Sequence, residues 1–139
     1  MESKYLEAIS AYKVETDESV IKAEIASILD KHLDENRTPE VLRFLLSSID
    51  LTTLKSTDSM QSVSNFTEKV NEFETEYGEL PAVAAICVYP CFAQVVRSVL
   101  EVSSVKIACV SGGFPSSQTF PEVKVAETAL AVEGGADEI

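Results

Sequence analysis

Ala82-Val83-Ala84-Ala85-Ile86-Cys87-Val88-Tyr89-Pro90 is the stretch on which the fold turns. Its eight residues before Pro90 carry no charge and lack the apolar–polar alternation of a half-wet strand, and Pro81 and Pro90 bound them. A run of that length without alternation is what a parallel strand covered on both faces looks like. Working outward, Val105-Lys106-Ile107-Ala108-Cys109-Val110 reads as a second such strand, Ile49-Asp50-Leu51-Thr52-Thr53-Leu54 as an earlier one, and Ala136-Asp137-Glu138-Ile139 as the start of another.

Between them the period changes to that of helices. Val63, Phe66, Val70, Phe73 and Tyr77 share one helical face that stops at Gly78, with Lys55-Ser56-Thr57-Asp58 placed to cap its start. Phe92, Val95, Val96, Val99 and Leu100 form the next helix. After the tight loop Ser111-Gly112-Gly113-Phe114-Pro115, Pro121 opens a third, which carries Val125, Ala126, Ala129 and Leu130 and closes at Gly134-Gly135. Strand starts near 49, 83, 105 and 137 thus alternate with helices: βα three times, with a fourth strand begun. Right-handed crossovers lay such strands side by side in one parallel sheet.

Residues 1 to 47 read differently. Tyr5, Leu6 and Ile9 suggest a short helix; Ile21, Ile25, Ile28, Leu29 and Leu33 recur at helical spacing; and Thr38-Pro39-Glu40 opens a third helix with Val41, Leu42, Leu45 and Leu46. The expected organisation is a helical N-terminal extension, 1–47, followed by an α/β domain, 48–139. The chain carries 23 acidic and 11 basic side chains, net -12. Of this, residues 1 to 80 hold net -9 and residues 81 to 139 net -3. That balance argues against a nucleic-acid groove, which needs clustered Lys and Arg. No window approaches the roughly 18 to 20 apolar residues of a membrane span, and the polar, acidic N-terminus lacks a secretory pattern. The expectation is a cytoplasmic protein, with Cys87, Cys91 and Cys109 reduced.

Four blocks, Ile49-Asp50-Leu51-Thr52-Thr53-Leu54, Val83 to Pro90, Val110-Ser111-Gly112-Gly113-Phe114-Pro115, and Ala126-Glu127-Thr128 through Gly134-Gly135-Ala136-Asp137-Glu138-Ile139, resemble deoxyribose-phosphate aldolase in order and spacing. The resemblance covers 48 to 139. It implies a (β/α)8 TIM barrel of which this chain is the first half, since a whole barrel takes about 250 residues. It also implies a lyase of deoxyribonucleotide catabolism that uses a lysine Schiff base, without cofactor or metal, to cleave a small phosphorylated sugar, 2-deoxyribose 5-phosphate, reversibly to glyceraldehyde 3-phosphate and acetaldehyde. By the same resemblance Asp50 belongs to the proton-relay network, Thr52 and Leu54 line the pocket, and Cys87 lies close by. The second family aspartate falls just after Ile139, and the Schiff-base lysine and its partner lysine fall on later strands. The fragment alone is therefore expected to be inactive.

The lysines present offer no substitute. A Schiff-base amine must be held neutral, by desolvation or a nearby cation, against an ordinary pKa of ~10.4. Lys4, Lys13, Lys22, Lys31, Lys69 and Lys124 fall on helix surfaces, Lys106 begins a strand, and Lys55 follows a strand end among polar residues. Cys87 and Cys91 are too few for zinc, and His32, the only histidine, is remote, so core cysteines are the simpler reading. Gly112-Gly113 reads as a phosphate cradle or, more simply, a βα turn. Asp50 is the anomaly that composition alone flags, because a buried carboxylate is costly unless paired or functional. The half-barrel is expected to expose apolar interior residues, among Val83, Ala85, Ile86, Val88, Ile107 and Val110, and to associate with a second copy or a complementary C-terminal half.

Overall fold

A computed structural model describes residues 3–12 and 16–139; Lys13 of the lysines considered above lies outside them. They group into two compact units, Met1–Pro39 and Glu40–Ile139. The first holds α1 (Ser3–Ser10) and α2 (Glu18–His32). Asp17 caps α2, accepting from Ser19 N–H at 2.8 Å, and Ile21, Ile25, Ile28, Leu29 and Leu33 all remain exposed on it.

In the second unit, α3 (Pro39–Leu46) leads to β1 (Asp50–Thr52), α4 (Met60–Glu76), β2 (Ala85–Val88), a single 3-10 turn Pro90–Phe92 running into α5 (Ala93–Val99), β3 (Lys106–Cys109) and α6 (Pro121–Glu133). The strands form one parallel sheet in the order β1-β2-β3. Asp50, Leu51 and Thr52 pair with Ala85, Ile86 and Cys87, and these with Lys106, Ile107 and Ala108. Glu138 adds a parallel bridge to Ala108, the start of a fourth strand. The βα succession therefore matches the sequence, with each strand shorter than its apolar run.

Because side chains alternate along a strand, this register sorts the sheet into two faces. Ile86, Val88, Ile107 and Cys109 turn toward the helices and are buried with Val63, Val70, Ala93, Val96 and Ala131. The opposite face presents Asp50, Thr52, Ala85, Cys87, Lys106 and Ala108. Of the apolar strand residues considered above, Ile86, Val88 and Ile107 lie on the dry side, whereas Ala85 and, just beyond β3, Val110 belong to the open side, which mixes small and apolar side chains with Asp50, Thr52, Cys87 and Lys106. Exposed apolar side chains sit on helices, among them Leu42, Leu45, Val125 and Leu130, and also beside the open face, at Phe114 and Ile139.

Two further expectations change. Ser59, not the preceding stretch, caps α4, in a reciprocal box with Ser62. Asp58 closes the loop before it, accepting from Thr53 Oγ1 at 2.8 Å and Lys55 N–H at 2.9 Å. On α6, Val125 and Leu130 are 70% and 66% exposed, whereas Ala131 is fully buried. The helix comes so close to α5 that a Cβ on Gly134 would meet Ala93 Cβ at 3.3 Å. Only small residues fit that seam, so the larger apolar ones point away.

This packing predicts a sharp contrast. Ile107→Ala should lower stability by about 2–5 kcal/mol, by loss of buried contacts and the cavity left behind, while Val125→Ala should change it by less than about 0.5 kcal/mol. Urea unfolding of both variants measures the difference.

Candidate functional site

The open face is continuous with a depression of about 560 Å³. It runs from Asp50 on β1 past Cys87 and Ala108 to Glu138, and is walled by Val110, Ser111, Gly112, Phe114 and Thr128. Strand order and register bring these groups together. In a parallel ladder, residues in register share a face, so Thr52, Cys87, Ala108 and Glu138 form one layer, and Asp50, Ala85 and Lys106 the layer beside it.

Of the residues singled out by sequence, Asp50, Thr52 and Cys87 are neighbours here. Thr52 Oγ1 donates to the Asp50 carbonyl at 2.8 Å, and its hydroxyl also shares a hydrogen bond with the Cys87 thiol. Burial raises the Cys87 pKa and the Asp50 charge raises it further, against the Thr52 hydrogen bond. The thiol is thus neutral at pH 7, a hydrogen-bonding wall and not a thiolate nucleophile. Cys109, on the dry side, is pushed up to about 11, first by burial and then by the neighbouring thiols. Leu54 lies apart from the depression: it is half-buried beyond the end of β1, and its carbonyl accepts from the Tyr89 hydroxyl at 3.3 Å.

Asp50 was expected as a buried carboxylate. It is exposed, because the face it stands on is open to water in this chain. The charge therefore carries no burial cost here, and its interest rests on its neighbours.

The loop after β3 is held from the helix side. Ser111 Oγ and Thr128 Oγ1 share a hydrogen bond of 2.6 Å, and Gly113 N–H donates to Glu127 Oε2 at 2.9 Å. Gly113 has φ +77, and a Cβ there would stand 2.9 Å from Thr119 Cγ2, so the position requires glycine. Its N–H is engaged by a carboxylate of the protein itself, which favours the βα-turn reading of Gly112-Gly113 over a phosphate cradle.

No lysine or arginine lines the depression. Lys55 and Lys106 are exposed and Lys124 is half-buried. Among the described residues there is no group of three or more His, Cys, Asp or Glu that could hold a metal ion, and no helix long and apolar enough to cross a membrane. The arrangement offers carboxylates, hydroxyls and a neutral thiol, groups suited to hydrogen-bonding a hydroxylated substrate and to moving protons. Glu138, Ser111 and Thr128 were missed as site residues. For Glu138 the signal was present: a charge in a strand start, on the parity that the parallel register turns to the open side.

Comparison with known proteins gives one consistent neighbourhood. The chain is 36% identical over 91 residues to a deoxyribose-phosphate aldolase of Streptococcus gordonii, covering 66% of this chain and 37% of that protein. A Caenorhabditis elegans relative, provisionally assigned to the same enzyme, is 31% identical and covers 94% of this chain and 45% of its own. Among solved structures, the tetrameric deoxyribose phosphate aldolase of Aeropyrum pernix superposes with a TM-score of 0.58 at 28% identity, over 78% of this chain and 42% of that one. No family model matches the chain. The chain spans less than half the length of these curated relatives. It resembles the deoxyribose-phosphate aldolases, and its fold is α/β, that of a partial aldolase barrel.

The electrostatics of Cys87 yield a testable sign. Asp50→Asn removes the negative charge that disfavours the thiolate, so alkylation of Cys87 by iodoacetamide at pH 8 should quicken by about twofold or more. Exposed Cys91 should keep its rate. Peptide-resolved mass spectrometry over time reads both.

Proposed function

We propose that this chain supplies one wall of the active site of a Schiff-base aldolase that cleaves 2-deoxy-D-ribose 5-phosphate reversibly to glyceraldehyde 3-phosphate and acetaldehyde, in the cytoplasm. The observation that carries this reading is the register that sets Asp50, Thr52 and Cys87 side by side on the open face of a parallel sheet, in a chain that resembles such enzymes.

In the reaction, a lysine amine forms an iminium ion with the aldehyde-derived carbon, and carbon–carbon cleavage sends the bonding electrons into that sink. Asp50 belongs to the proton relay beside the reacting carbon: its carboxylate accepts hydrogen bonds from a substrate hydroxyl or ordered water and holds the proton in transit. Thr52 and Cys87 shape the wall against the substrate, and Leu54 contributes from the strand end. The nucleophilic lysine is not among these residues. Lys55 and Lys106 stand in water, where an amine stays charged, and no cationic residue lines the depression. The substrate's phosphate must then also be held elsewhere in the complete site.

The alternative reading is a non-catalytic partial barrel that associates with itself or with a complementary half. The exposed Val125, Leu130 and Val132 on α6 favour it. Sedimentation of the chain alone at micromolar concentration bears on it: a stable dimer supports self-association, and a monodisperse monomer removes that form of it.

Two outcomes test the catalytic reading. Incubated with acetaldehyde and borohydride, the 139-residue chain should form no stoichiometric lysine adduct by intact mass; an adduct on Lys55 or Lys106 would place the nucleophile in this chain. In a barrel completed by a C-terminal half carrying the lysines, Asp50→Asn should lower kcat by about 10²- to 10⁴-fold with the fold intact. Unchanged turnover would make Asp50 structural.

A further inference from the structure

Beside β3, the backbone of residues 135 to 138 is bound in an asymmetric way. Asp137 N–H and Glu138 N–H both donate to the Ile107 carbonyl, at 2.8 and 3.1 Å, and Cys109 N–H donates to the Glu138 carbonyl at 3.0 Å. Two residues back along the same side of β3, Ile107 N–H is taken by a side chain: Asp137 Oδ2 accepts it at 2.9 Å. The same oxygen accepts from Arg97 Nη2 at 2.8 Å. That guanidinium also grips the Gly135 carbonyl, from Nε at 3.2 Å and Nη2 at 2.6 Å. Gly135 has φ +103, and a Cβ there would stand 2.9 Å from Arg97 Nε, so the chain must bear glycine for Arg97 to lie across it.

These contacts are specific to one alignment. Slipping the fourth strand by one residue would set Ala136 or Glu138 opposite Ile107 N–H. The first has no side-chain acceptor, and the second would have to bring a longer side chain back to the edge and leave the open face. A slip by one also turns every side chain of the strand to the opposite face. We propose that Arg97 and Asp137 are positioning residues for the candidate site: together they lock the fourth strand in the register that presents Glu138 in the layer of Thr52, Cys87 and Ala108. The functional meaning rests on reading that face as the aldolase site; the register lock itself does not.

Charge supports the geometry. Burial pushes the Asp137 carboxyl up, but the Ile107 N–H, the Arg97 hydrogen bond and charge, and the Lys106 charge together hold it below its ordinary value. A carboxylate depressed in the folded state stabilises above its unfolded pKa, and that stabilisation is lost as pH falls through the lower folded value. The groups facing it are Arg97 from α5 and Lys106 from β3.

Amide hydrogen exchange by NMR on the full 139-residue chain tests the proposal. Asp137→Ala should speed exchange of Cys109 N–H by about tenfold or more, while Val110 N–H, which donates to Val88 across the β2–β3 ladder, keeps its rate. Asp137→Asn retains an acceptor for Ile107 N–H and should recover part of the protection. Gly135→Ala, which displaces Arg97, should reproduce the selective loss. In the unsubstituted chain, the Ile107 amide proton shift should titrate with a midpoint below the ordinary aspartate value, and that titration should vanish in Asp137→Asn. Unchanged Cys109 protection in Asp137→Ala, or loss in step with Val110, overturns the proposal. If the selective loss appears and Asp50→Asn still leaves turnover of a completed barrel unaltered, the functional reading falls and the register lock stands.

Discussion

The parallel register of β1, β2 and β3 is the constraint on which the rest depends. With a side-chain period of two, pairing Leu51 with Ile86 and Ile107 commits every odd–even choice in the sheet at once. It sends Ile86, Val88, Ile107 and Cys109 into contact with Val63, Val96 and Ala131, burying nearly all of their surface. The same choice leaves Asp50, Thr52, Cys87 and Lys106 on the other side. The candidate site follows from a packing decision: helices seal one face, and Asp50, Thr52 and Cys87 stand together on the other.

Polar cross-links then hold the pieces to that sheet. Asn71, buried on α4, donates to the Val99 carbonyl at 2.9 Å and accepts from Glu101 N–H at 3.0 Å, fixing the end of α5. Ser111 and Glu127 hold the loop after β3 against α6. Each satisfies a backbone group or hydroxyl that would otherwise lack a partner near the core, where an unmade hydrogen bond costs about 1–3 kcal/mol. The loop after β3 is thereby tied to α6 beside the open face.

Much of this was legible beforehand, for a physical reason. The unalternating run from Ala82 to Tyr89 and the one from Val105 to Val110 pointed to a parallel sheet, and the helical period between them supplied the crossovers, although only one face of that sheet is covered in this chain. What stayed hidden depends on distance through space. The α6 face was misread because Val125 and Leu130 look like core by hydrophobicity, whereas close approach to Ala93 admits only Ala131 and Gly134. Asp50 was legible as an anomaly but not as an exposed one, since exposure depends on what covers the open face. Glu138 carried a signal, a charge in a strand start, but which face it takes is fixed only by pairing with Ala108, thirty residues away in sequence. Asp58, part of the stretch expected to cap α4, closes the preceding loop instead and Ser59 makes the cap, because loop closure and helix capping use the same residue types.

The most direct test of the account is an experimental determination of the sheet register, by crystallography or by interstrand NOEs on the 139-residue chain. The account predicts Thr52, Cys87, Ala108 and Glu138 in one layer on the face away from α4, α5 and α6, with Asp50 beside them. A register shifted by one residue, with Leu51, Ile86 and Ile107 on the open face, would contradict it.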